Sequence, residues 1–319
     1  MYYEPKEIHI ELTDKCNAQC PMCPRTSIID ISKTTEFVKN VEITFDEFKS
    51  IVDNIKFKKY IFSGNYGDPL SAKDFLKIVE YIADENTEIF IHTNASLKTT
   101  SYFEKLGNIL SINPNNKVLF ALDGLEDTHH IYRRNTNFDK IIENAKAYIN
   151  NTKAKSSWEY LVFKHNEHQI ELAKIKAKEI GFTNFNCRYS NRFPLNNKVS
   201  FYDNNNLNII EKAEFSTISE IYGEIKCEAI KRSGIYLSAE GYLWPCCWTA
   251  SRYKHDPDLS DIVNKCGIET INIKKYSIYE IMDGMIWTEI ENRWKYGKPS
   301  ACWNVCSRNS RSVNNNVVL

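Results

Sequence analysis

The sequence predicts an α/β chain: a partial (β/α)6 barrel followed by a small cysteine-rich domain with a β-hairpin. Three observations predict it. Short apolar runs alternate with capped amphipathic segments from residue 7 to about 190, and six cysteines gather between Cys227 and Cys306. Within that second region, Ala239-Glu-Gly241 supplies a turn inside GIYLSAEGYLWPCC. Strands alternating with helices call for a parallel sheet of βαβ units, and six units are too few to close an eight-stranded barrel.

Taken in order, the strand candidates are Glu7–Leu12, Lys59–Ser63, Glu88–His92, Lys117–Leu122, Trp158–Phe163 and Asn184–Tyr189. Thr44-Phe-Asp-Glu47 and Ser71-Ala-Lys-Asp74 read as capping boxes before FKSIVDNI and FLKIVEYIAD. Helices over Phe138–Ile149 and His168–Ile180 follow, the latter stopped by Gly181. The expected organisation is a barrel over 1–190, an Asn-rich linker over 191–225, a cysteine-rich domain over 226–306 and a frayed polar tail over 307–319. No internal repeat is present.

Composition narrows the function classes. Lys plus Arg equals Asp plus Glu at 41 each, so no global charge draws the chain to nucleic acid or an anionic membrane. No apolar run reaches the roughly 18 to 20 residues of a bilayer span. The first residues lack a basic n-region and apolar h-region, so a cytoplasmic protein is expected. In that reducing setting ten cysteines, nine of them in two separate groups and Cys187 alone, favour metal over cross-links.

Cys16, Cys20 and Cys23 stand in C-x3-C-x2-C spacing after the first strand. Three thiolates suit zinc with a recruited fourth ligand, or three corners of a [4Fe–4S] cluster with one iron left open. The spacing, with Met22 at the apolar position before the third cysteine, resembles the signature of the radical S-adenosylmethionine (SAM) superfamily. The resemblance implies a SAM-binding [4Fe–4S] cluster whose open iron is chelated by SAM, and reductive cleavage to a 5′-deoxyadenosyl radical that abstracts hydrogen from substrate. It also implies an electron donor such as flavodoxin or ferredoxin.

Further segments resemble family motifs in order. FSGNYGDP (Phe62–Pro69) is similar to the G-G-E-P-like motif at the SAM amino group, with Gly67 and Asp68 in the key places. IHTNAS (Ile91–Ser96) resembles a T-N-G segment and makes Asn94 a candidate, with Ala95 in place of Gly. LFALDGLEDTHHIYRR (Leu119–Arg134) resembles an S-x-D-G…R segment, implying that Asp123 supports the SAM region and Arg133 pairs with its carboxylate. Ala121 replaces the usual Ser. VFKHNEHQ (Val162–Gln169) makes Asn166 a further candidate SAM contact. Each segment has a plainer reading as a turn or helix start. His129 and His130 are expected to be structural or solvent-facing.

The C-x13-G-x4-C pattern of Cys227, Gly241 and Cys246 resembles the opening of the SPASM and twitch auxiliary-cluster domains of that superfamily. Only Cys302-x3-Cys306 follows, too few cysteines for two further clusters. The resemblance therefore implies a twitch arrangement: one auxiliary [4Fe–4S] cluster on Cys227, Cys246, Cys302 and Cys306, with Cys247 and Cys266 as substitutes. Cys187 is expected to be a buried small hydrophobe.

The function expected is hydrogen abstraction from a small-molecule or peptide substrate that the sequence does not identify, an oxidation with the auxiliary cluster accepting the substrate electron. Peptide or protein modification, such as Cα cross-linking, is the alternative. A non-catalytic iron–sulfur or zinc binding module is the alternative of another class. Substrate and general base are beyond the sequence.

Overall fold

The computed structural model describes residues 3–190, 192–214 and 223–307, and the backbone of 315–318. Residues 191, 215–222, 308–314 and 319, parts of the expected linker and tail, lie outside the described residues.

The barrel elements run β1 (Glu7–Ile10), α1 (Phe45–Val52), β2 (Lys59–Phe62), α2 (Phe75–Ile82), β3 (Glu88–Thr93) and α3 (Thr100–Leu110). They continue as β4 (Lys117–Ala121), α4 (His129–Tyr132), α5 (Phe138–Asn150), β5 (Lys155–Val162), α6 (Ile170–Ile180) and β6 (Asn184–Tyr189). Strands β1 to β6 lie side by side in chain order, every pair parallel. The six-unit partial barrel expected from the alternation is therefore present.

Strand alternation puts Ile8, Ile10, Tyr60, Phe62, Ile89, Ile91, Val118 and Phe120 under the helices, all buried. The opposite face carries His9, His92, Lys117, Glu159 and Arg188, so the barrel's inner side is polar. Helix α5 meets the sheet through Phe138, Ile141, Ile142, Ala145 and Tyr148. Each large apolar side chain buried this way contributes about 1.5–3 kcal/mol. Trp158 sits among them with its indole N–H on the Leu122 carbonyl at 2.8 Å.

The local signals behave unequally. Thr44 and Glu47 form the expected capping box, and Gly181 closes α6 at φ 98°. The second expected box does not form. Ser71 ends a short 3-10 turn begun by Pro69, and Asp74 caps α2 by position only. The Asp74 carboxylate instead accepts from Phe45 N at 3.2 Å, tying α1 to α2.

Beyond the barrel come β7 (Lys198–Asp203) and β8 (Asn206–Glu211), then α7 (Glu228–Arg232), β9 (Gly234–Leu237) and β10 (Leu243–Trp244). Helices α8 (Cys247–Arg252), α9 (Pro257–Cys266), α10 (Ile278–Met282), α11 (Met285–Asn292) and α12 (Ser300–Cys306) follow, and β11 (Asn315–Val318) comes last. Two expectations are corrected here. The stretch expected to be a plain linker holds the antiparallel hairpin β7–β8; its alternation of Val199, Phe201 and Ile210 with polar residues is a strand signal that the Asn-rich composition obscured. The tail expected to fray contributes β11, antiparallel to β6.

The expected hairpin of the cysteine-rich region is β9–β10. It does not stand apart: β9 pairs in parallel with β1, register Glu7 to Gly234 through Ile10 to Leu237. One nine-stranded sheet thus runs β10-β9-β1-β2-β3-β4-β5-β6-β11. Among the described residues no helix is long and apolar enough to cross a membrane.

Candidate active site

A cavity of about 530 Å3 opens at the C-terminal ends of the barrel strands and is walled by residues of β3 to β6 and of the loops that follow β1 and β2. Cys16, Cys20, Cys23, Gly67, Asp68, Asn94, Asp123 and Arg133 all line it. Residues more than a hundred positions apart thus meet where an α/β sheet places its ligands.

The cysteine loop is held from several sides. Cys16 Sγ faces Ala18 N at 3.4 Å and Asn94 Nδ2 at 3.5 Å. Arg133 Nη1 reaches Cys20 Sγ at 3.8 Å, and Gln19 N bonds the Arg134 carbonyl at 2.9 Å. Burial pushes the Cys16 thiol well above its usual range and Cys20 to about 11, with Arg133 opposing at Cys20. A metal bound there would displace the thiol protons. Arg25 lies behind the loop, buried, donating to the Ala18 carbonyl at 3.2 Å.

The Ser63–Asp68 loop touches the cysteine loop directly. A side chain at Gly67 would meet the Thr13 carbonyl oxygen at 1.7 Å, so only glycine fits. Asp68 is buried and its carboxylate is spent on structure: it accepts from Asn94 N at 2.7 Å, Leu70 N at 3.0 Å and Thr93 Oγ1 at 3.0 Å. Asn94 passes the connection on to Asn17 Oδ1 at 3.0 Å. Ala95, where the family segment has Gly, takes the left-handed φ of 54°, a conformation glycine adopts without strain.

Asp123 and Arg133 form a buried ion pair, Nε to Oδ2 at 2.5 Å, and Asp123 Oδ1 also accepts from Leu161 N at 2.7 Å. Arg133 keeps its Nη edge toward the cavity and the Cys20 sulfur. His129 is structural, as expected. Its Nδ1 accepts from Asp123 N at 3.2 Å, Nε2 faces Thr136 Oγ1 at 3.0 Å, and burial lowers its pKa to about 3.

Two expected contacts stand back from the cavity. Asn166 is fully buried and does not line it; Oδ1 accepts from Phe163 N at 2.7 Å while Nδ2 donates to the Leu161 carbonyl at 3.0 Å. Its amide closes the loop after β5, which leaves no group for a ligand. Met22 packs its side chain in a small apolar cluster with Ala18, Tyr132, Phe163 and Phe201, and only its carbonyl is engaged, by Arg192 Nη1 at 3.1 Å.

The structure adds residues that motif reading missed. Glu11 is buried beneath the Ser63–Asp68 loop, accepting from Tyr66 N at 2.6 Å, Gly67 N at 3.0 Å and Tyr236 Oη at 2.8 Å. Burial pushes its carboxyl up to about 7. Asn65 Nδ2 extends the link to Tyr236 Oη and the Cys247 carbonyl, both at 3.0 Å. A carboxylate set between the apolar Ile10 and Leu12 was the available signal. Glu159 and Arg188 in β5 and β6, and Trp248 and Arg252 in α8, also line the cavity.

The second cysteine group draws on separate elements. Cys227 precedes α7, Cys246 precedes α8, and Cys302 and Cys306 lie on α12. They are close enough to act on one another's ionisation: burial, then neighbouring thiols, raises Cys227 to about 11 and Cys302 further. Trp294 Nε1 is buried and meets no nitrogen or oxygen partner among the described residues. It faces Cys302, whose acidity it raises against burial. Cys247 is half-buried beside Cys246. Cys266 feels Glu289 and Lys265 rather than the other thiols, and Cys187 is buried in β6. Among the described residues no three His, Cys, Asp or Glu side chains are drawn together tightly enough for a single metal ion.

Residues 10–174, just over half of the chain, match the Radical SAM superfamily. The chain belongs to that superfamily. A [4Fe–4S] cluster and SAM are the cofactors of radical SAM proteins, and the three-thiol loop with its flanking Arg25 and Arg133 fits the cluster. The chain is 28% identical over 137 residues to the S-adenosylmethionine-dependent nucleotide dehydratase of Selenomonas ruminantium, which is 39% of this chain and 46% of that protein. It therefore spans about half the length of that relative. The solved structure of anSMEcpe with bound AdoMet superposes with a TM-score of 0.57 at 15% identity, covering 99% of this chain and 89% of that one. SuiB of Streptococcus suis bound to precursor peptide SuiA gives a TM-score of 0.53 at 16% identity, covering 76% and 59%. At such identities the likeness is one of fold.

Proposed function

We propose that the protein is a radical SAM oxidoreductase with one auxiliary [4Fe–4S] cluster in a twitch-type C-terminal region, acting on a small molecule. The observation that carries this reading is the meeting of the three thiols, Asp68, Asn94, Asp123 and Arg133 on one cavity. The chemistry supplied by the loaded cofactors is reductive SAM cleavage to a 5′-deoxyadenosyl radical that takes hydrogen from substrate.

The chain's own residues then have separable tasks. Cys16, Cys20 and Cys23 hold the cluster, with Met22 packing the loop that carries them. The Gly67 backbone, fixed by Glu11, offers polar groups at the SAM amino end. Arg133, braced by Asp123, presents its planar fork to the SAM carboxylate. Asp68 and Asn94 clamp the strand-end loops to the cysteine loop, and Asn166 supports them from behind.

Support for the oxidative outcome comes from α8. It starts beside Cys246, and Trp248 and Arg252 along it line the cavity, so the auxiliary thiols and the substrate space share one short helix. Cys227, Cys246, Cys302 and Cys306 fit a cluster there, and the buried Trp294 N–H facing Cys302 suits a sulfur bearing negative charge. An electron donor of the flavodoxin or ferredoxin class would reduce the first cluster. All ten cysteines are free, which agrees with a reducing, cytoplasmic setting. Peptide modification is the second reading, favoured by the fold likeness to peptide-bound SuiB.

Anaerobic reconstitution, iron counting and assay for reductant-dependent 5′-deoxyadenosine test the proposal. About eight irons and SAM cleavage support it, about four remove the auxiliary cluster, and bound zinc without SAM cleavage overturns the enzyme reading.

A further inference from the structure

The cavity carries a set of cations that the SAM chemistry does not use. Its carboxylates are all engaged. Asp68 holds backbone N–H groups, Asp123 holds Arg133, and Glu159 accepts from Ser157 Oγ at 2.7 Å and Asn186 Nδ2 at 2.5 Å, with Arg188 Nε at 3.3 Å. The guanidinium groups on the far wall are not. Arg188 meets Glu159 through Nε, and its two Nη nitrogens have no partner among the described residues. Arg252 has no carboxylate partner among the described residues; its guanidinium carbon stands 5.2 Å from the ring centre of Trp248, itself 38% exposed.

SAM does not account for these groups. It brings one carboxylate, for which Arg133 is placed, together with an ammonium and a sulfonium that repel further cations. The first cluster has Arg25 and Arg133 beside its thiols. Arg188 rises from β6 and Arg252 from α8, which lie toward opposite flanks of the sheet order, yet both reach the same cavity. Two guanidinium groups brought together from two regions, with Glu159 on the Nε of Arg188 as their one carboxylate partner among the described residues, keep donors for an oxyanion arriving from outside.

Resting on the radical SAM reading above, we propose that the substrate is a small anion, bearing a phosphate or carboxylate group held by Arg188 and Arg252, with its body against the Trp248 ring. A neutral or cationic substrate would leave the Nη nitrogens of Arg188 and the Arg252 guanidinium without an anionic partner beside it. Arg252 also ties specificity to the cysteine-rich region, since α8 follows directly from Cys246.

The test uses the reconstituted, SAM-loaded protein and calorimetric titration with three probes: inorganic pyrophosphate, glutarate and neutral glycerol. Saturable binding of pyrophosphate or glutarate, with none of glycerol, is expected, and the anion that binds identifies the phosphate or carboxylate arm. R188A and R252A should each weaken that binding about tenfold or more, while R188K and R252K, which keep the charge, should retain part of it. Iron content and melting curves verify that the variants fold. If both anions bind the wild type no better than the R188A/R252A double variant, the proposal is overturned. Wild-type 5′-deoxyadenosine formation, measured in the same preparation, separates the two readings. Its presence without anion binding overturns the substrate class alone, and its absence with full iron overturns the enzyme reading beneath it.

Discussion

The two cysteine groups are built on different principles. Cys16, Cys20 and Cys23 occupy one eight-residue loop, and that loop is clamped by Asn94, Arg133 and the Arg134 carbonyl from neighbouring strand ends. Cys227, Cys246, Cys302 and Cys306 come from segments spread over eighty residues and seated on short helices. The first site is local in sequence and stiffened by tertiary contacts. The second exists only once α7, α8 and α12 have packed, with Lys226 N on the Cys306 carbonyl at 2.9 Å as one of the links. A substrate site placed between them inherits a rigid wall and an assembled one.

The sharpest way to break this contrast is to remove the first group. The triple variant C16A/C20A/C23A should lose reductant-dependent 5′-deoxyadenosine entirely while keeping about half its iron, roughly four atoms of eight. Surviving SAM cleavage would take the loop out of the active site.

Arg133 tests what stiffens that loop. Its partner Asp123 has a fully buried side chain, and stranding one half of a buried ion pair costs about 3–5 kcal/mol. R133A should melt at lower temperature and bind SAM more weakly. R133K should recover stability more than affinity, because lysine lacks the fork. Unchanged SAM affinity in R133A, measured by equilibrium dialysis, would confine Arg133 to a structural role.

Glu11 probes the seam between the regions, since it accepts from both Gly67 N and Tyr236 Oη. Its carboxyl rises from 4.5 to about 7 on folding because of burial. The folded state therefore holds the extra proton. The stability this group contributes is complete below about pH 4.5 and is lost as pH rises through about 7, amounting to about 3 kcal/mol. E11Q should flatten that part of the stability–pH curve. Parallel curves for the two proteins would show that Glu11 does not titrate there.

The smallest effect is expected at Cys266, whose surroundings are Glu289, Lys265 and Arg293 rather than thiols. C266A should change neither the iron count nor the melting curve, within about 0.5 kcal/mol. Loss of iron would bring Cys266 into the second group after all.

Much of this was legible from the sequence, and the boundary has a physical cause. The six strands and the C-x3-C-x2-C loop are encoded locally, in alternation and in spacing, so reading along the chain finds them. Gly67 was legible because it resembles a family motif, though the reason only glycine fits, the Thr13 carbonyl against it, is tertiary. Asn166 was placed at the right loop, yet its amide turns inward to backbone groups that no motif reveals. The capping box at Ser71 failed because Pro69 starts a tighter turn first. Glu11, Arg188 and Arg252 were overlooked because their meaning depends on partners that are distant in the chain.

The pairing of β9 with β1 and of β11 with β6 bears on how the molecule is made. During synthesis β1 to β6 leave the ribosome with both outer strands bare, each a template for stray strand addition. Their covers are translated later, β9 more than forty residues after β6 and β11 more than a hundred after it. The nascent chain therefore passes through an interval in which its catalytic half is built but its flanks are open to aggregation.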